Sequence, residues 1–93
     1  MATMWVHRFP DATNTLVWPY EDAELITVQS PVQNGTAYSG TRAKKVRIYT
    51  DTDCHYEIGP AAVATTNSPP LDAGEDRVET LLPGQRVSVL IRT

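Results

Sequence analysis

Three stretches of this chain alternate apolar and polar residues with a period of two, and no stretch keeps an apolar stripe at helical spacing over several turns. In "KKVRIYT", Val46 and Ile48 share one side while Lys45, Arg47 and Tyr49 share the other. In "CHYEI", Cys54, Tyr56 and Ile58 oppose His55 and Glu57; in "RVSVLI", Val87, Val89 and Ile91 alternate with Arg86, Ser88 and Leu90. Successive side chains of a strand point to opposite faces, so this pattern specifies strands with one buried face. The 7 prolines and 5 glycines cut the chain into pieces too short for a helical core. The pattern predicts an all-β fold: a small antiparallel β-sandwich or barrel of 6–8 short strands. With 93 residues, it predicts one domain spanning 1–93.

Local turn chemistry suggests how the strands connect. Asp51-Thr52-Asp53 separates 44–50 from 54–59, and Pro83-Gly84 separates "DRVETLL" from "RVSVLIR"; both are expected to close antiparallel hairpins. Residues 24–29 form a further strand ending near Pro31, and "TAYSG" after Asn34-Gly35 is a candidate short strand. Residues 60–74 form the longest loop, where Pro69-Pro70 excludes a central strand. Residues 1–20 either form a hairpin from "MWVHRF" and "TLVWPY" or extend as an N-terminal arm.

The chemistry of "DTDCH" comes next, because the single cysteine stands beside a histidine. A catalytic thiol–imidazole pair must share a proton, but neighbours on a strand are aimed apart. Cys54 falls with Tyr56 and Ile58 on the core side, where a thiol behaves as a small hydrophobe. A calcium loop beginning at Asp51 would need glycine where Tyr56 stands and glutamate where Ala62 stands. His7 is too far along the chain to complete a zinc motif of familiar spacing. Glu21, Asp22 and Glu24 read as a solvated run before a strand. There is no phosphate loop, nucleophile elbow or H-E-x-x-H. The expectation is a protein that is not an enzyme and uses no cofactor, metal or small-molecule substrate.

Two features suit contact with other proteins. Arg42, Lys44, Lys45 and Arg47 gather basic charge, while Asp72, Glu75, Asp76 and Glu79 gather acidic charge; such segregation serves either contact with copies of itself or with another protein, or solvation and edge protection. Trp5, Phe9, Trp18 and Tyr20 concentrate the aromatics near the N-terminus, either capping the core or anchoring in a partner. The partner-binding candidates are therefore Trp5, Phe9, Trp18, Tyr20, Arg42, Lys44, Lys45 and Arg47. A net charge of −3 gives no general attraction to nucleic acid or anionic lipid. No stretch is apolar enough for a helical membrane span, and the start of the chain lacks a secretory pattern.

From Tyr49 to Thr93 the chain reads "YTDTDCHYEIGPAAVATTNSPPLDAGEDRVETLLPGQRVSVLIRT". Asp53-Cys54-His55, Ile58-Gly59, Ala64-Thr65-Thr66, Ala73-Gly74, Pro83-Gly84 and Val87-Ser88-Val89 resemble a pattern of small virion structural proteins of tailed bacteriophages, similar to head decoration (cement) proteins. "GPAAVATT" departs from the "GxNPxATT" of that pattern, and the first forty residues lie outside it. The resemblance implies a bacteriophage β-sandwich assembled in the host cytoplasm and located on the virion. There it would bind the outer capsid surface, with the major capsid protein and copies of itself as partners, as a homo-oligomer. It carries over no functional residues. Other virion parts (a head–tail connector, tail or fibre component) and a carbohydrate- or protein-binding β-module are the alternative expectations.

Overall fold

The structure is a computed structural model describing residues 2–9 and 22–92. It is an all-β sandwich of two four-stranded antiparallel sheets, with no helix among the described residues. The strands are β1 (Thr3–Arg8), β2 (Asp22–Thr27), β3 (Gln33–Asn34), β4 (Lys44–Thr50), β5 (Cys54–Gly59), β6 (Pro70–Leu71), β7 (Asp76–Leu81) and β8 (Arg86–Ile91). The first sheet has the order β2-β1-β4-β7, the second β3-β8-β5-β6.

The predicted faces are those observed. Met4, Val6, Ile26, Val46, Ile48 and Leu81 of the first sheet meet Cys54, Tyr56, Leu71, Val87 and Val89 of the second in one buried cluster. Period-two patterning thus places an apolar row on each inner face, and stacking the sheets removes both rows from water.

Both expected hairpins are corrected. β4 pairs with β1 and β7, while β5 pairs with β8 and β6, so the Asp51-Thr52-Asp53 turn carries the chain from one sheet to the other. The turn containing Pro83-Gly84 likewise links β7 of the first sheet to β8 of the second, with Gly84 at φ +86°. Side-by-side pairing would satisfy the backbone equally well, but folding over sets each strand's apolar face against the other's. The Asp51–Asp53 corner is tied to both sides. Thr3 N–H donates to Asp51 Oδ1 at 2.8 Å, and Ala73 N–H donates to Asp53 Oδ1 at 2.8 Å. The fully buried Thr50 hydroxyl donates to Thr52 O at 2.7 Å, which satisfies it within the turn.

The N-terminal expectation also changes. β1 lies inside the first sheet, paired on one side with β2 and on the other with β4, so residues 3–8 are sandwich rather than arm. The segment 15–20 proposed as its hairpin partner lies outside the described residues. "TAYSG" forms no strand, and Pro70 occupies an edge strand.

Candidate interaction face

The two outer faces of the sandwich are finished differently. Over the second sheet, the 60–69 loop folds back on the polar rows of β5 and β8. Ser88 is fully buried there: its hydroxyl accepts the Ala64 N–H at 2.8 Å and donates to Asn34 Oδ1 at 2.7 Å. Ser68 Oγ donates to Glu57 Oε1 at 2.8 Å, and Arg86 Nε donates to Ala62 O at 3.0 Å. His55 Nδ1 lies 2.9 Å from Ser68 O; a carbonyl only accepts, so that nitrogen carries the proton. His55 is therefore spent on holding the loop.

Cys54 faces the other way, fully buried, and burial pushes its thiol pKa up. The pair is split by the pleat, as alternation requires, and the aspartates around it are corner ties. No cluster of three or more metal-ligating side chains occurs among the described residues.

Over the first sheet, no described loop covers the outer face. Cross-strand register lays two rows across it: Leu25, Trp5, Tyr49, Asp76, and beside it Ala23, His7, Arg47, Val78. The Trp5 and Tyr49 rings stand 5.5 Å apart, tilted at 48°. The Arg47 guanidinium lies 5.4 Å from the Tyr49 ring centre, and Arg47 Nε donates to Asp76 Oδ2 at 2.7 Å. Trp5, His7, Arg47 and Tyr49 line a shallow depression of about 320 Å³. Leu25 is 64% exposed and Val78 53%, and they flank the aromatics on opposite sides. Burial, and next the Arg47 charge, lower the His7 pKa from 6.5, which favours neutral imidazole at pH 7.

The sequence candidates divide. Trp5, Lys45 and Arg47 sit on this face, with Lys45 Nζ donating to Thr80 Oγ1 at 2.9 Å. Phe9 and Lys44 are corrected as surface contacts: Phe9 is fully buried, and Lys44 is 6% exposed on the inward side of β4. Arg42 is exposed and lines a separate polar cleft of about 620 Å³ with Arg8, Glu24, Tyr38 and Lys44. In that cleft Glu24 is engaged by Arg8 at 3.4 Å and by the Thr36 N–H at 2.7 Å, so it is structural rather than a free carboxylate. Trp18 and Tyr20 lie outside the described residues. The acidic group is also partly consumed within the chain, Asp76 by Arg47, Asp72 by Arg92 and Glu79 by the Tyr56 hydroxyl.

Sequence reasoning missed Leu25 and Val78 as members of the face. Leu25 adjoins Ile26 in an apolar pair whose inward member cannot be told from composition, and Val78 reads as a core residue until its edge position is known. Comparison with family models, curated proteins and solved structures gives no match to this chain.

Proposed function

We propose that this chain is a non-catalytic capsid decoration protein. It docks the outer face of its first sheet, which no described loop covers, on a bacteriophage head and stabilises the head by repeated non-covalent contacts. The observation that carries an attachment role is the asymmetry of the sandwich: one outer face is sealed by the chain's own loop, while the other presents Trp5, Tyr49, Leu25 and Val78 around Arg47. Aromatic and arginine side chains are the residues that most often anchor protein interfaces. The choice of a phage head as the partner is supported by the sequence resemblance over residues 49–93. Many modest contacts repeated over a lattice give high avidity, so this role needs a rigid, partner-facing surface and no reaction centre.

The test is to add purified protein to phage heads that lack it. Saturable binding at a fixed ratio to the major capsid protein, lost in Trp5→Ala and Tyr49→Ala, is the expected result. Absence of binding to heads, or binding unchanged by both substitutions, overturns the proposal. Localisation of tagged protein to the tail or to a single vertex would instead favour a connector or tail role.

A further inference from the structure

The sandwich manages its sheet edges unequally. In the second sheet both edge strands, β3 and β6, have two residues. In the first sheet β7 is a six-residue edge, and Asp76, Arg77 and Val78 on it are exposed. The direction of its open backbone groups follows from the neighbouring ladder. Phe9 N–H donates to Lys45 O and Asp51 N–H donates to Thr3 O, so the odd-numbered residues of β4 address β1. The even-numbered ones therefore address β7, bonding Arg77, Glu79 and Leu81 through the pairs Ile48–Arg77, Val46–Glu79 and Lys44–Leu81. Asp76, Val78 and Thr80 are left with their N–H and C=O groups directed to an edge that no other described strand pairs.

A free edge of this length is a template for another strand. We infer that the partner is a second copy of this chain, paired β7 to β7 about a two-fold axis at Val78. The choice of partner and register rests on charge. Hydrogen-bond parity allows only pairings in which even residues face even and odd face odd. Centring on Arg77 or Glu79 sets a like charge directly opposite itself, which is destabilising, and centring on Asp76 sets Val78 against Gly74, which lies beyond the strand at φ +84°. Centring on Thr80 sets Val78 against Leu82 and drops Arg77 past the end of the strand. Centring on Val78 sets valine against valine, Arg77 against Glu79 of the other copy, and Asp76 against Thr80. Asp76 brings little unbalanced charge to that contact, because Arg47 already engages it at 2.7 Å. The other long edge, β2, has no comparable complementarity, since its Glu24 would face Ile26 when centred on Leu25.

In the dimer the two first sheets join into one continuous antiparallel sheet. Val78 and its counterpart lie on the outer side, so the two Trp5–Tyr49 faces become one surface. This pairing does not depend on which partner that surface takes.

Light scattering and sedimentation equilibrium over a hundredfold concentration range test it. The wild-type chain is expected to show a monomer–dimer equilibrium. Arg77→Glu is expected to weaken it at least tenfold, and Val78→Pro, which deletes a donor the monomer does not use, to abolish it. Val78→Cys is expected to give a disulfide-linked dimer under mild oxidation, because hydrogen-bonded antiparallel pairs hold Cα atoms about 5.5 Å apart. Melting curves of each variant check that the monomer is folded. A chain that stays monomeric at the highest concentration overturns the inference, as does a dimer indifferent to both Arg77→Glu and Val78→Pro.

Discussion

The Tyr56 hydroxyl donates to Glu79 Oε2 at 2.7 Å, a bond that crosses from β5 of the second sheet to β7 of the first. Burial raises the Tyr56 pKa above 10.0, and the hydrogen bond and negative charge of Glu79 raise it further. A folded-state value above the unfolded one favours the protonated phenol in the fold. That contribution is fully present below pH 10 and is lost as pH rises through the folded value. Tyr56→Phe is expected to cost about 1.5 kcal/mol near neutrality, the scale of a hydrogen bond to a charged group. Urea unfolding at neutral and alkaline pH checks it: the gap between wild type and Tyr56→Phe should narrow above pH 10. A gap that widens there would contradict the assignment.

Cys54 has no exposed surface and a raised pKa. Both reduce the thiolate available for attack. A thiol-specific reagent at neutral pH is therefore expected to leave the native protein unlabelled and to label it promptly in denaturant. Rapid labelling of the native chain would restore a chemical role to the Cys54–His55 pair.

Phe9 and Trp5 should separate stability from docking. Fully buried Phe9 is expected to lose about 3–5 kcal/mol on change to alanine, through lost burial and a residual cavity. Ile48→Ala in the central cluster should cost about 2–4 kcal/mol for the same reason. Half-buried Trp5 stands on the open face, and its loss forfeits chiefly the Tyr49 contact, about 1 kcal/mol. Chemical denaturation measures all three. A Trp5→Ala loss equal to that of Phe9→Ala would make Trp5 core.

Ser88 should be costly despite its small size. Its hydroxyl meets the Ala64 N–H and Asn34 Oδ1 in a fully buried site. Ser88→Ala leaves an amide hydrogen without its acceptor under the loop, a penalty of about 1–3 kcal/mol. Amide exchange should show the 60–69 loop opening more readily in the variant, while protection of β1 and β4 is unchanged.

The candidate face was partly legible from local pattern. Trp5 alternates with Met4 and Val6, and Arg47 and Tyr49 alternate with Val46 and Ile48, so their outward direction follows from the pleat. Lys44 shares parity with Val46, yet its charge suggested exposure; the inward position at the end of β4 prevailed. Phe9 follows the last residue of β1, where alternation no longer says which way a ring turns.

The sequence by itself determined that strands form and which side of each is apolar, because a strand's side-chain directions are fixed by its own backbone. Only the tertiary structure decided which strands pair. A short polar turn such as Asp51–Asp53 reverses the chain equally well within one sheet or between two, and the choice depends on β1, β7 and β8 arriving from distant parts of the chain. The same long-range packing leaves one outer face uncovered among the described residues: the 60–69 loop can cover a single sheet, and its hydrogen bonds to Ser88, Glu57 and Arg86 hold it on the second.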